Sequence, residues 1–448
     1  MDCAPSAKRT SEARGGVIFE HGDRARLFVG AVPLKRYLQE ARLSWVLRLG
    51  ELMDELDWSQ FEAAYEPGGR PPLHPRRVLA LMMYASLLQQ SSLRQTETLA
   101  LRDVGAWWLT GGLTPDHTTI ARFVARHEAL LTEDFFIQVT SKVAKHLGAT
   151  AFDIAIDGTV KQAAASSVCA LRREALDKKR VEAKDEVQFA KNSAAASKPD
   201  EMEKAERRVE VALRKEKQLE VANEVLVTRE TAHKAAGRPA DKAQVSPTEP
   251  EAMMQPLKRS NDYGFAYKPV VAAHSSGLIV GQKLSPFSET EHVHELIEQH
   301  EKVLQTAPAR VLADSGFSAI YLLAYFVELG VDLLIPSGRN GKPRSGRLGL
   351  FGKSEFEYQE ETDRVRCPFG AEMTPGSRLR DRHGNTYREF KTSSCKTCPL
   401  RDQCTTMKAR VFKRYEGDEL KDIMADTLSH PAARDAYRRR SAIVEPVF

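Results

Sequence analysis

ATAFDIAIDGTV, residues 149–160, is the clearest strand in the chain. Phe152, Ile154 and Ile156 alternate with Asp153, Ala155 and Asp157, the two-residue period of a strand with one buried face. Gly158 follows at once, so the strand is expected to stop on a carboxylate, Asp157. A second run, ARVLADSG at 309–316, closes in the same way on Asp314. In open sheets with helical connections, ligands collect beyond the strand ends, which makes two acids placed there candidates for one site.

Working outward, GFAYKPVVAAH (264–274) and GLIVGQKLS (277–285) read as a hairpin, and VDLLIPSG (331–338) as a fifth strand. Helices fit ETEHVHELIEQHEKVLQ (289–305) and SAIYLLAYFVELG (318–330), the latter opened by Ser318 and closed by Gly330. Three early strands followed by alternating helix and strand imply an α+β, or mixed α/β, fold: a mixed five-stranded sheet with helices packed on it. Between the first two strands, residues 170–236 are rich in Ala, Glu, Lys and Arg. Ala205, Ala212, Leu219 and Leu226 recur every seven residues there, a thin seam for a helical hairpin or weak coiled coil.

Before the first strand the pattern is helical. PLHPRRVLALMMYASLLQQ, SSLRQTETLALRDVGAWWLTGG and TPDHTTIARFVARHEALL give three helices, with Thr114 or Asp116 as cap of the third. A basic third helix carrying Arg122 and Arg126 suits a helix-turn-helix reader of duplex DNA. The same pattern fits a plain helical bundle with surface arginines, and the residues alone leave both open. Trp107 and Trp108 read as bundle core.

The resulting division is a poorly ordered segment 1–40, a helical DNA-binding domain 41–148, and a catalytic core at 149–169 and 260–340. The core is interrupted by a helical insertion with a flexible loop, 170–259. A basic loop and cysteine-bearing insertion, 341–427, and a final helix, 428–448, complete it. A chain of 448 residues has material for about two to four domains. The N-terminus lacks a signal-peptide core and no apolar run reaches membrane-spanning length, so the expectation is a cytoplasmic protein with no membrane partner. The net charge of +5 is mild but compatible with a polyanionic partner.

Asp157 and Asp314 suit Mg²⁺ or Mn²⁺, hard cations that prefer oxygen ligands and leave room for water and phosphate. A third acid on a helix packed against the same sheet would complete a two-metal site. Glu445, in the terminal AYRRRSAIVEPVF (436–448), is the expected third member. Asp153 is the rival first ligand, and Glu328 and Asp332 are rivals to Glu445. Of the six cysteines, Cys367, Cys395, Cys398 and Cys404 crowd one segment and offer four thiolates for a structural Zn²⁺, with free thiols the alternative and His383 a substitute ligand. Cys3 and Cys169 receive no role. His292, His294 and His300 share no helix face at spacings of two and six and are read as surface residues. RNGKPRSGR (339–347) places Arg339, Lys342 and Arg344 in a basic loop suited to phosphate.

Taken together, PPLHPRRVLALMMYA, TPDHTTIARF, AIDGT, LADSGF, CPFG, CKTCPLRDQC and YRRRSAIVEPVF resemble, in this order, a bacterial insertion-sequence transposase of the DDE class, in the branch with a cysteine-bearing segment before the last catalytic helix. The resemblance implies a ribonuclease-H-like core in which Asp157, Asp314 and Glu445 are the three acids. It also implies metal-dependent cleavage at element ends, then attack of the freed 3′-hydroxyl on target DNA. Its partners would be double-stranded DNA, as terminal inverted repeats and target, and a second copy of the chain. Arg438 and Arg440 are assigned to DNA, Tyr437 and Arg440 keeping the three-residue spacing of related transposases. Glu445 lies five residues beyond Arg440 instead of four, and relatives usually continue past the equivalent of EPVF. The alternative expectation is therefore a truncated, inactive DNA-binding remnant or repressor; a host nuclease is a third.

Overall fold

The computed structural model describes residues 11–14, 16–90, 92–150, 153–166, 169–198, 201–257, 262–286, 288–336, 350–381 and 384–448. Packing divides the chain into two units, the first running to Thr150 and the second holding nearly all the rest. Phe152, His383 and the basic loop with Arg339, Lys342 and Arg344 lie outside the described residues.

The first unit is not all-α. Two short hairpins, β1 (Ser11–Arg14) with β2 (Val17–Glu20) and β3 (Phe28–Val29) with β4 (Val32–Pro33), precede α1 (Leu34–Glu40). Over residues 16–40 this differs from the expected poorly ordered segment, since Phe19, Leu27, Leu34 and Leu38 are buried there, too irregularly spaced to register as a period; residues 1–10 and 15 lie outside the described residues. Next come α2 (Ser44–Glu55), α3 (Ser59–Ala63), α4 (Pro75–Leu87), α5 (Leu93–Arg102), α6 (Val104–Thr110), α7 (His117–His127) and α8 (Glu133–Leu147). One expected helix is two, because the Asp103 carboxylate accepts from the amides of Gly105 (2.8 Å) and Ala106 (3.0 Å) and starts α6 afresh. Asp116 caps α7, accepting from Thr119 N at 2.6 Å. Val46, Met53, Trp58, Phe61, Leu81 and Phe123 form much of the core.

In the second unit the five expected strands are β5 (Asp153–Gly158), β8 (Tyr263–His274), β9 (Ile279–Ser285), β10 (Arg310–Ala313) and β11 (Asp332–Leu334). They lie side by side as β9-β8-β5-β10-β11. β5, β10 and β11 run parallel; β8 is antiparallel to both β5 and β9. The sheet nevertheless has seven strands, since β6 (Lys161–Gln162) and β7 (Met253–Pro256) also pair with the first half of β8. Two-residue and four-residue strands carry too little alternation to be read from sequence.

Between β6 and β7 stand α9 (Arg173–Ala195) and α10 (Met202–Ala235), packed as a hairpin. The heptad residues Ala205, Ala212, Leu219 and Leu226 are all buried, as that spacing predicts, opposite Leu176, Ala183 and Val187 of α9. α11 (Val293–Leu304) and α12 (Ile320–Leu329) connect the later strands. Ala319, not Ser318, occupies the α12 cap, and Ser318 instead donates to the Ser315 carbonyl at 2.8 Å. His300 is not a surface residue: it is fully buried, on the same i, i+3, i+4, i+7 face as Val293, Leu296 and Ile297. His294 packs its ring on Tyr325, centroids 4.0 Å apart.

The cysteine-bearing segment folds as a five-stranded antiparallel sheet, β12 (Glu357–Gln359), β13 (Arg364–Arg366), β14 (Glu372–Arg380), β15 (Thr386–Lys391) and β16 (Phe412–Tyr415), with the short α13 (Arg401–Cys404) before β16. Phe356, Val365, Met373, Phe390 and Phe412 form its core. α14 (Asp418–Thr427) and α15 (Pro431–Val444) follow, and α15 lays Ala436, Ile443 and Val444 against Ala155, Val271, Ala273, Leu312 and Leu334 of the large sheet. Among the described residues no helix is long and apolar enough to cross a membrane.

Candidate active site

Parallel register places the two aspartates. Ala313 of β10 pairs with Ile156 of β5, so Asp157, the next residue of β5 and still paired with Val271 of β8, and Asp314, just past β10, lie at the same end of the sheet and on adjacent strands. Such strands are about 4.8 Å apart, close enough for both carboxylates to serve one centre. Asp314 Oδ1 accepts from Gly316 N at 2.7 Å and fixes the turn that follows. Asp157 Oδ1 accepts from Gly158 N at 2.9 Å, and Oδ2 meets Arg440 Nη2 at 3.0 Å.

The pair is electrostatically uneasy. Burial pushes the Asp157 carboxyl above the usual range and the charge of Asp314 pushes it the same way, against the pull of Arg440. Tyr437, one turn before Arg440, has its hydroxyl pushed up by burial, helped by both aspartates. Arg440 is largely buried, at 13% side-chain exposure, and its Nε finds no partner.

Asp153, the rival first ligand, sits at the far end of β5, about 13 Å from Asp157 at strand rise. It is paired with Arg310 (3.6 Å) and Arg439 (3.3 Å). Asp332 also meets Arg310 (3.3 Å), at that far end, and Glu328 is exposed. Glu445 is exposed at the C-cap of α15 and opens a 3-10 turn, Glu445–Val447. The structure thus joins two of the three expected acids with Arg440. Among the described residues, no three or more His, Cys, Asp or Glu stand in metal-holding geometry. Arg438 turns outward to Asp435 (2.7 Å), while Arg122 and Arg126 are exposed on α7, Arg126 lying over the Tyr65 ring at 4.4 Å.

Sequence reasoning missed Glu289. A Cβ on Gly158 would stand 2.7 Å from Glu289 Cγ, so the glycine beside Asp157 is what admits this side chain. Glu289 also pairs with Lys268 at 3.1 Å. The signal available was the glycine itself, read only as a strand terminator.

The four clustered cysteines line one cavity with Phe351, Phe356 and Met373. All are free thiols. Burial raises Cys404, Arg410 opposes, and Cys395, Cys367 and Cys398 add to the rise, although among the described residues the four do not stand in metal-holding geometry. The donor set fits a soft ion such as Zn²⁺.

Comparison with known families matches residues 38–126 to a transposase domain (DUF772) and residues 366–448 to a transposase DDE domain. No curated protein and no solved structure matches the chain. The first match takes in α2 to α6 and most of α7; the second takes in the four clustered cysteines, β14 to β16, α14 and α15, while Asp157 and Asp314 lie between the two. With one match before the large sheet and one at the C-terminal end of the chain, the two transposase-domain matches support an insertion-sequence transposase of the DDE class.

Proposed function

We propose that this transposase cuts DNA at the ends of its element and joins the freed 3′-hydroxyl to target DNA, using Asp157 and Asp314 in a ribonuclease-H-like core. The observation that carries the reading is the β5–β10 register, which sets two carboxylates side by side at one sheet end. Mutual repulsion between them fits a divalent cation, Mg²⁺ or Mn²⁺, held by Asp157 and Asp314. When bound, such ions activate an attacking oxygen and stabilise the leaving one. Arg440 is positioned to take a phosphate oxygen through its unpartnered Nε, and Tyr437, kept protonated, offers a hydroxyl donor.

Two glutamates compete for the third acid. Resemblance assigns it to Glu445; proximity to Gly158 favours Glu289. α7, with Arg122 and Arg126, is assigned to the terminal inverted repeats, and joining two ends in one event calls for a dimer on DNA. The cysteine cluster is assigned to structural zinc, since four thiolates leave no open position for chemistry.

The test is a labelled duplex carrying the terminal repeat, incubated with the full chain and Mn²⁺. Boundary nicks and joined products are expected, both lost in Asp314→Asn while specific binding persists. Normal cleavage by that variant would sink the assignment. Glu289→Gln and Glu445→Gln, run in parallel, decide the third acid by which abolishes cleavage.

A further inference from the structure

The arm formed by α9 and α10 is closed along its seam but open along one edge near its outer end. The cross-arm pairs Arg180–Glu220 and Glu186–Lys215, 2.6 Å each, fix the level of one helix on the other, so that Phe189 of α9 stands across from Val211 of α10. Between them lies a cleft of about 600 Å³. Its floor is Ala190, Ser193, Ala205 and Ala212, side chains too short to fill it, whereas nearer the sheet Leu176, Leu219 and Leu226 close the seam. Among the described residues Phe189 is the most exposed large hydrophobic side chain, at 74%, and Val211 is 66% exposed. Apolar residues scattered singly over a surface need no explanation; two that flank one unfilled cleft do.

Charge indicates what fits there. The charged positions flanking the seam on this edge are Lys179, Glu182 and Glu186 on α9, and Lys204, Arg208 and Lys215 on α10. One lysine against two glutamates leaves α9 net negative, while all three on α10 are cations. Arg207 also lines the cleft but is held by Glu203 at 2.6 Å. A second arm laid with α10 against α10 would oppose like charges; laid with α9 against α10 it opposes unlike ones. A two-fold axis running along the arms makes both α9–α10 contacts at once, since in such an interface each residue meets its counterpart's partner twice. The same axis keeps equal levels together and therefore brings Phe189 of each copy to Val211 of the other.

We propose that two copies of this chain join arm to arm, side by side and pointing the same way, as a four-helix bundle in which Phe189 of each copy enters the cleft beside Val211 of the other. Small floor residues let the helices approach closely, and the facing apolar side chains leave water. The transposase reading calls for a second copy on DNA, and this inference gives that copy a place to dock. It rests on the arm alone, so the dimer forms without DNA.

Sedimentation of the full chain without DNA, over a range of micromolar concentrations, should show a monomer–dimer equilibrium. Phe189→Lys should weaken the dimer about a thousandfold, roughly thirtyfold for each of the two symmetric contacts. Val211→Glu should weaken it as well. Both positions are exposed, so circular dichroism of either variant should keep the helix content of the natural chain. Mixed in equal amounts, the two variants should regain a dimer, because one contact then sets lysine against glutamate and the other is the natural pair. Asp314→Asn should dimerise like the natural chain, which keeps this test apart from the catalytic reading. A chain that stays monomeric, a dimer that neither variant weakens, or a mixture that does not recover would overturn the proposal. If such a monomer loses affinity for duplex DNA in Val211→Glu, DNA is the occupant of the cleft instead.

Discussion

In the second unit two neighbouring carboxylates, Asp157 and Asp314, stand beside one guanidinium, that of Arg440, which pairs with Asp157; in the first, two guanidiniums, Arg24 and Arg76, share one carboxylate, Asp54. Both clusters are partly buried and hold donors without partners. A net charge of +5 over the chain hints at neither. What distinguishes them is the sign of the local excess. An acid-rich centre is relieved by a cation, a base-rich one by an anion, and in a medium of low effective dielectric the imbalance is felt far more than at the surface. The proposed reaction calls on both, cations at the reacting phosphorus and cationic protein groups along the DNA.

The largest effect should come from removing charge where cations are expected. Asp157→Asn should cut cleavage by about a thousandfold or more, the scale of losing one preorganised electrostatic contributor, measured as single-turnover nicking in Mn²⁺. Retained cleavage would break the contrast from the acid side.

A pH scan tests the first unit independently of Arg24, Arg76 and Arg77. His127 is buried there, and burial, with a smaller push from Arg126, lowers it from 6.5 to about 4. The unfolded chain therefore takes the proton first: stability is complete above about 6.5, is lost as pH falls toward 4, and falls no further on this account below that. The loss should be about 3 kcal/mol in denaturant unfolding followed by tryptophan fluorescence. His127→Gln should flatten the slope, and an unaltered slope would reject the assignment.

Arg440→Ala should lower cleavage by about ten- to a hundredfold, with Arg440→Lys recovering only part, because a point charge replaces a fork. If alanine there leaves the rate unchanged, the guanidinium merely neutralises Asp157. The smallest effect is expected at Tyr437→Phe, which removes one donor and should cost about threefold; a loss as large as that of Asp157→Asn would give the hydroxyl a direct part in the chemistry.

The residues that sequence made legible share one property: their partners are set by a short-range rule. Ile154 and Ile156 alternate, so β5 was readable, and a parallel neighbour ending in Asp314 followed from the helix between strands. The heptad from Ala205 to Leu226 announced its own seam. Glu289 beside Gly158 and the two arginines around Asp54 depend on residues brought together from distant segments, which no periodicity encodes. The second sheet was hidden for a different reason. Its strands carry charged residues on exposed faces, so β14 reads as loop, with Met373 as its buried residue. Asp103, by contrast, was legible as a helix cap and was passed over within a longer helical pattern.

The hairpin of α9 and α10 is joined to the rest by a narrow neck. Leu171 and Val245 exchange both backbone hydrogen bonds, at 2.9 and 3.0 Å, so the long excursion between them begins and ends at one point. Arg229 of α10 adds a second tie, donating to the carbonyls of Pro250, Glu251 and Ala252 just before β7. Beyond these ties the arm is to the sheet a single closed loop, whose entropy changes only with the logarithm of its length. Lengthening or shortening its outer end therefore leaves the register of β5 on β8 thermodynamically almost untouched.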